Sequence, residues 1–177
     1  PFPVLPSVPP CGRLLNSLSK FVILDKNWIR RCFLPGRRME MEVKFYDTVD
    51  DRFLKFAVII SKAEGKWIFC KHKDRDTMEV PGGHREPGED ILDTAKRELR
   101  EETGAIRFTI TPVCVYSVVR EDGESFGMLY CAQIREFEPE LHSEIEKIIL
   151  TDQLPECWTY PLIQPKLLEE AARRGYL

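Results

Sequence analysis

The segment of residues 78–104, MEVPGGHREPGEDILDTAKRELREETG, constrains the fold more than any other part of this chain. Glycine and proline punctuate residues 78–90, which predicts a loop with a restricted backbone. Residues 90–103 carry apolar side chains at helical spacing, and Gly104 is placed to end that helix in a left-handed conformation. The apolar stripe consists of Leu92, Ala95 and Leu99. The segment therefore predicts a loop that runs directly into an amphipathic helix.

The polar side of the predicted helix carries three glutamates, Glu98, Glu101 and Glu102. At about 100° per residue, their side chains project within an arc of roughly 100°. Neighbouring carboxylates repel one another, and a divalent cation with a preference for oxygen ligands, such as Mg²⁺ or Mn²⁺, would reverse that repulsion. The alternative is a solvated acidic face that Arg97 and Arg100 partly neutralise. These residues alone leave both interpretations open.

The rest of the chain alternates strand-like and helical segments, which predicts an α/β protein. Strands are predicted at residues 53–61, 66–73, 108–120 and 125–134. An acidic loop is predicted to follow the last of these strands, and residues 164–177 form a closing amphipathic helix. Phe126, Met128 and Tyr130 alternate onto one face of a predicted strand. Together with Trp67 and Phe69, these side chains could stack on a nucleobase or fill the hydrophobic core. The alternation favours the core.

Charge is unevenly distributed along the chain. Residues 1–38 contain seven basic residues and one acidic residue, which gives them a net charge of +6. The whole chain has a net charge of −3, so residues 39–177 carry −9. An acidic domain argues against a stable nucleic-acid partner, which would require a basic face. No apolar run reaches the length of about 20 residues that spans a bilayer, so no membrane partner is expected.

Six widely spaced cysteines form no C-x-x-C pair. Cys70, Cys114 and Cys131 lie in apolar strand-like runs, where they are expected to be small buried hydrophobic residues in a reducing compartment. We therefore expect a cytoplasmic protein, either a monomer or a homodimer. The proline-rich and basic residues 1–38 are expected to be a leader or extension outside the main domain; the alternative is a basic arm for a membrane or nucleic acid.

The segment that begins at Gly83 resembles the Nudix box, G-x5-E-x7-R-E-U-x-E-E-x-G-U, in which U is a bulky aliphatic residue. The matching positions are Gly83, Glu89, Arg97, Glu98, Leu99, Glu101, Glu102 and Gly104. Ala105 is the one departure, and it concerns packing after the helix rather than a metal ligand. The resemblance implies a Nudix domain over residues 39–177, an α/β/α sandwich around a mixed β-sheet.

The resemblance also implies a hydrolase that depends on Mg²⁺ or Mn²⁺. Glu98, Glu101 and Glu102 are the implied metal ligands, to which Gly82 or Gly83 is expected to add a backbone carbonyl. Catalytic roles are expected for Glu101 and for a separate general base. Arg97 and Glu89 are also expected to contribute, as an ion pair that orients the loop against the helix. The general base is expected in the acidic segment that contains Glu138, Glu140, Glu144 and Glu146. Glu144 is chosen because its placement resembles that in MutT-like relatives, although this segment could equally be an exposed acidic loop.

Residues 155–177 and the stretch VPGGHREPGE resemble small bacterial MutT-type nucleoside triphosphate pyrophosphohydrolases. The implied substrate is a nucleotide: a (d)NTP, 8-oxo-dGTP included, that is cleaved to the monophosphate and pyrophosphate. The alternatives are an ADP-sugar pyrophosphatase, an RNA or dinucleoside-polyphosphate hydrolase, and a non-catalytic nucleotide-binding Nudix module. The last is disfavoured because such modules usually lose box glutamates, and all of them are present here.

Overall fold

The computed structural model of the protein describes residues 41–138 and 145–177. The predicted leader 1–38 and the predicted base Glu144 lie outside these residues. Strands and helices follow one another as β1 (Glu42–Tyr46), β2 (Leu54–Ala63), β3 (Lys66–His72), β4 (Met78–Glu79), β5 (Gly82–His84), α1 (Ile91–Thr103), β6 (Ala105–Arg120), β7 (Gly123–Phe137), β8 (Ile145–Thr151) and α2 (Gln164–Arg173). A 3-10 turn, Asp51–Phe53, precedes β2.

The strands form one mixed sheet. Its main order is β1-β6-β7-β2-β3-β4, with β5 paired to β2 and β8 paired to β3. β2 and β7 run parallel, whereas the other described pairs are antiparallel. Because β5 joins the side of β2 at residues 56–58, it brings the start of the predicted box to the middle of the sheet.

Two hydrophobic clusters lie on the two faces of this sheet, as shown by the adjacent residues Ile59 and Ile60 of β2, which belong to different clusters. Side chains of a strand alternate between the faces, so neighbours point in opposite directions. α1 packs Ala95 and Leu99 into one cluster. α2 packs Leu167, Leu168 and Ala171 into the other. The predicted α/β/α sandwich around a mixed sheet is therefore confirmed.

The ends of α1 follow from local sequence. The Asp90 side chain caps the first turn by accepting a hydrogen bond from the backbone N–H of Leu92 at 2.8 Å. Gly104 ends the helix with φ of 70°, a left-handed conformation, and its N–H donates to the carbonyl of Arg100. The prediction of this helix, including its C-terminal glycine, is confirmed.

The prediction of an uninterrupted loop over residues 78–90 was wrong. Two short strands lie within it, β4 against β3 and β5 against β2. The acidic segment after β7 likewise contains β8, which pairs with β3 from Trp67 to His72. A strand of two or three residues leaves no periodic signal, and its stability comes from partners that are distant in sequence.

The aromatic positions belong to the core, as the sequence favoured. Tyr130 is 3% exposed, and Phe126 and Met128 pack against the same cluster. Phe69 is buried on the other face, where its ring meets that of Trp158 edge to face at 5.4 Å. The rings of Tyr130 and Phe69 are therefore too buried to stack on a nucleobase.

The three strand cysteines are free thiols, with Cys70 and Cys114 buried and Cys131 half-buried. Burial raises the pKa of each of these thiols above its ordinary value. They therefore behave as small hydrophobic residues. Over residues 41–138 and 145–177, no helix has the length and apolar character needed to cross a membrane.

Candidate active site

The candidate site lies where β5 leads through residues 85–90 into α1. The three predicted ligands all project from α1, but their environments differ. The Glu98 side chain is only 12% exposed, whereas that of Glu101 is 55% exposed. Glu102 is intermediate. One edge of the carboxylate arc thus faces the sheet and the other faces solvent.

The Glu98 carboxylate rests against the backbone of Gly83. A Cβ atom on Gly83 would lie 2.1 Å from Glu98 Oε1 and 2.6 Å from Oε2. No real side chain fits at that distance, so glycine is required if Glu98 is to keep its position. This contact explains physically why the glycine that opens the box and the glutamate fifteen positions later occur together.

Glu102 is held by the neighbouring glycine. The N–H of Gly82 donates to Glu102 Oε2 at 2.9 Å. Gly82 itself is required for a different reason, because a Cβ there would meet the carbonyl oxygen of Ala57 at 2.5 Å. The glycine pair therefore has two separate tasks: Gly82 allows β5 to approach β2, and Gly83 leaves room for Glu98.

Arg97 and Glu89 form a two-bond ion pair between the helix and the loop. Arg97 Nε lies 2.9 Å from Glu89 Oε1, and Arg97 Nη2 lies 3.0 Å from Glu89 Oε2. The buried hydroxyl of Thr94 and the backbone N–H of Glu86 also donate to Glu89 Oε2, at 2.8 and 3.1 Å. Such a paired, multiply bonded carboxylate fixes the loop to the helix.

The same guanidinium reaches the predicted metal ligands. Arg97 Nη1 lies 2.8 Å from Glu98 Oε1 and 3.3 Å from Glu101 Oε2, and Nη2 donates to the carbonyl of His84 at 3.0 Å. Arg97 therefore links the loop, the end of β5 and two of the three glutamates. Sequence reasoning predicted its pair with Glu89 but not its contacts with Glu98 and Glu101.

These contacts separate the pKa values of the carboxyl groups. Hydrogen bonds from Arg97 lower the pKa of Glu89 to about 2, so this group stays ionised. Burial raises the pKa of Glu98 above its ordinary value, although the neighbouring Arg97 opposes the shift. A carboxylate that is partly removed from water in this way gains more from a bound cation than an exposed one does.

The donor set fits a hard divalent cation in its chemistry, since all three side chains offer carboxylate oxygens. Within the described residues, no group of three or more His, Cys, Asp or Glu side chains is already arranged to hold a metal. Arg97 contacts Glu98 and Glu101, and the N–H of Gly82 contacts Glu102. These hydrogen bonds hold the glutamates in place, and a bound cation would compete with them for the carboxylate oxygens.

The four glutamates considered as the general base differ in their surroundings. Glu140 and Glu144 lie outside the described residues. Glu146 forms an ion pair with Lys71, and the hydrogen bond from Lys71 lowers the pKa of this carboxyl. Glu138 is exposed just beyond β7, and its backbone N–H donates to the carbonyl of Gly104 at 2.7 Å.

Two residues near the site had no sequence signal. Arg85 donates to Asp51 and to the carbonyl of Glu89, and thereby joins the turn before β2 to residues 85–90, which we call the box loop. Arg85 and Asp51 lie 34 positions apart in the sequence, so no local pattern reveals this contact.

Comparison with known proteins identifies the kind of domain. The NUDIX domain model matches residues 51–173. The chain is 33% identical over 103 residues to the Bacillus subtilis protein named "Putative 8-oxo-dGTP diphosphatase YtkD". That match spans 58% of this chain and 65% of YtkD, so the chain covers slightly less than two thirds of this relative.

Solved structures share the fold. The Bacillus subtilis pyrophosphohydrolase BsRppH is 26% identical with a TM-score of 0.65, over 77% of this chain and 92% of that chain. A NUDIX hydrolase from Nitrosomonas europaea is 20% identical with a TM-score of 0.55, over 68% and 89% of the two chains. The matched domain includes β2, the box loop, both helices and every described residue of the candidate site from Asp51 onward. The chain belongs to the Nudix hydrolase family.

Proposed function

We propose that this protein hydrolyses a diphosphate bond of a nucleoside triphosphate, with 8-oxo-dGTP as the leading candidate, and releases the monophosphate and pyrophosphate. The observation that carries the proposal is the placement of Glu98 and Glu102 against Gly83 and Gly82, next to the Arg97–Glu89 ion pair. Glu101, on the same helix, contacts Arg97 as well. The likeness to YtkD supports the choice of substrate, and the likeness to BsRppH supports pyrophosphohydrolysis.

Nudix proteins generally use a divalent metal. We assign its binding to Glu98, Glu101 and Glu102, with Gly82 or Gly83 contributing a carbonyl. A bound Mg²⁺ or Mn²⁺ would screen the diphosphate charge and polarise a phosphoryl oxygen. This assignment also accounts for the charge of −9 on residues 39–177, since a cation between protein and nucleotide removes the repulsion.

The chain's own residues position the reactants. Water adds its oxygen to phosphorus, the bridging P–O bond breaks, and pyrophosphate leaves with the electron pair of that bond. We assign removal of the water proton to Glu144, with Glu101 as the other candidate. Arg97 and Glu89 hold the loop and the helix together while the two glutamates nearest the sheet, Glu98 and Glu102, keep their places.

A substrate panel tests the proposal directly. Canonical (d)NTPs, 8-oxo-dGTP, ADP-ribose, diadenosine tetraphosphate and a 5′-triphosphate RNA are incubated with Mg²⁺ or Mn²⁺, and phosphate and pyrophosphate release are followed. We expect 8-oxo-dGTP to give the highest kcat/KM, with pyrophosphate as product. A preference for ADP-ribose, diadenosine tetraphosphate or RNA would replace this substrate assignment. Turnover of none of them would favour a binding module.

A further inference from the structure

The guanidinium of Arg85 links two parts of the chain that are distant in sequence. Its Nη1 donates to the backbone carbonyl of Asp51 at 2.9 Å, and its Nη2 donates to Asp51 Oδ2 at 2.7 Å. Its Nε donates to the backbone carbonyl of Glu89 at 2.6 Å. All three kinds of guanidinium nitrogen thus donate to an acceptor, and a lysine ammonium cannot reproduce that fixed fork of donors.

Glu89 is consequently held from both ends by two different arginines. Arg97 binds its carboxylate, whereas Arg85 binds its carbonyl. The contacts run from the 3-10 turn through Arg85 to Glu89, then through Arg97 to Glu98. The loop therefore cannot shift at Glu89 without changing the position of Arg97, and Arg97 contacts a proposed metal ligand.

The Arg85–Asp51 ion pair contributes little to global stability. Asp51 is 62% exposed, and an ion pair with one partner in solvent is weakened by water and by salt. The Arg85 side chain is itself 19% exposed, so its geometry is better defined than that of a surface arginine. Arg85 has little effect on overall stability, but it makes two hydrogen bonds to Asp51 in the turn and one to Glu89 in the loop. It therefore acts mainly on the position of the loop relative to the turn.

We propose that Arg85 is a positioning residue that aligns the box loop for metal binding, an inference that rests on the proposed function. It fixes the path of the loop at Glu89 against the turn before β2. Through Glu89 and Arg97 it sets the side-chain position of Glu98 from which the cation is bound. Nothing in the box pattern requires an arginine at this position, so the role is specific to the contacts of this chain.

The test compares Arg85→Gln and Arg85→Lys with the matched control Arg52→Gln. Arg52 lies in the same turn and pairs with Asp50 at 3.2 Å, but it is 74% exposed and makes no described contact with the box loop. Loop order is read from hydrogen exchange of the Glu86 and Glu89 amides. These amides are bonded within the loop at 3.1 Å each.

For both Arg85 variants we expect amide exchange in the loop to rise by about tenfold. We expect Mn²⁺ affinity, measured by calorimetry without nucleotide, to fall by about 10- to 100-fold. The thermal midpoint should change by less than about 4 °C, as expected for the loss of an exposed ion pair. Arg52→Gln should leave exchange and Mn²⁺ affinity unchanged.

Three results would overturn the inference: wild-type exchange and affinity in Arg85→Gln, full recovery of both in Arg85→Lys, or an equal loss in Arg52→Gln. A wild-type protein that binds no Mn²⁺ would overturn it as well. The proposed function fails separately, if the wild-type protein turns over no nucleotide while loop order and Mn²⁺ affinity still depend on Arg85.

Discussion

Glu98 Oε1 lies 2.1 Å from the point where a Cβ atom of Gly83 would stand, so the absence of a side chain at residue 83 sets the position of a carboxylate on α1. Neither Gly82 nor Gly83 has a left-handed backbone, so both are needed for space rather than for conformation. The two glycines nevertheless meet different neighbours, a side chain for Gly83 and backbone for Gly82. This difference allows the site and the fold to be perturbed separately.

Gly83→Ala should damage the site and spare the fold. The backbone accepts alanine, and the new methyl group meets the end of a flexible side chain, so Glu98 moves while the strand stays in place. We expect Mn²⁺ affinity and kcat to fall by about 10- to 100-fold, with a thermal midpoint close to that of the wild type. Calorimetry and thermal unfolding measure the two effects independently.

Gly82→Ala is the matched comparison, because its methyl group would meet the Ala57 carbonyl at 2.5 Å and the Val58 Cα at 3.0 Å. Backbone cannot move aside as a side chain can, so we expect a loss of about 1–3 kcal/mol in the free energy of unfolding. Equal stability of the two variants would contradict this division of tasks.

Glu102→Gln should abolish hydrolysis without unfolding the protein. Glutamine keeps the shape and a carbonyl that can accept from the Gly82 N–H, but it removes the negative charge that the proposed metal needs. Changes at residues that only hydrogen-bond to metal ligands typically reduce activity by up to about 100-fold. For Glu102→Gln we expect a larger loss in kcat, with an unchanged thermal midpoint. Glu86→Gln, a change at an exposed glutamate of the loop before α1, serves as the control. Unchanged turnover in Glu102→Gln would remove Glu102 from the site.

Arg97→Lys should weaken metal binding although the charge is kept. An ammonium group cannot bind both oxygens of Glu89 and also reach Glu98 and the carbonyl of His84. We expect Mn²⁺ affinity and kcat to fall by about 10- to 100-fold, with a smaller change in the KM for nucleotide. Arg100→Lys is the control on the same helix, since Arg100 is exposed and lies over the Phe108 ring. An equal effect of both changes would argue against a specific role for Arg97.

Acid stability should depend on Glu170 of α2. Its carboxylate is 7% exposed, and hydrogen bonds from Arg173, and then from Arg174, lower its pKa from 4.5 to about 2. Because the folded-state pKa is lowered, the stabilisation is present above pH 4.5 and is lost as the pH falls from 4.5 toward 2. Glu170→Gln should therefore lower the free energy of unfolding at pH 7. The difference in unfolding free energy between this variant and the wild type should become smaller by pH 2.5.

Chemical unfolding at several pH values measures this dependence, with the exposed neighbour Glu169→Gln as control. A gap between Glu170→Gln and the wild type that stays constant from pH 7 to pH 2.5 would exclude an ionised Glu170 as its source.

Local patterns were enough to predict α1, because a helix is made of bonds between residues four apart. The stripe of Leu92 and Leu99 and the glycine at residue 104 act within a few positions of the residues they affect. The cap at Asp90 is equally local, but only the structure revealed it. The spacing of the box glutamates is equally local, which is why the sequence indicated the family and suggested the metal ligands proposed here.

Tertiary structure alone decided the contacts that join distant segments. The strands β4 and β5 were missed because their stability comes from partners on β3 and β2 rather than from their own two or three residues. The same holds for Arg85 and Asp51, which lie 34 residues apart. Spacing along the chain is enough to show that these carboxylates share one helical face. Only packing decided that Gly83 makes room for Glu98 and that two arginines hold Glu89, because such contacts depend on sheet register and not on spacing along the chain.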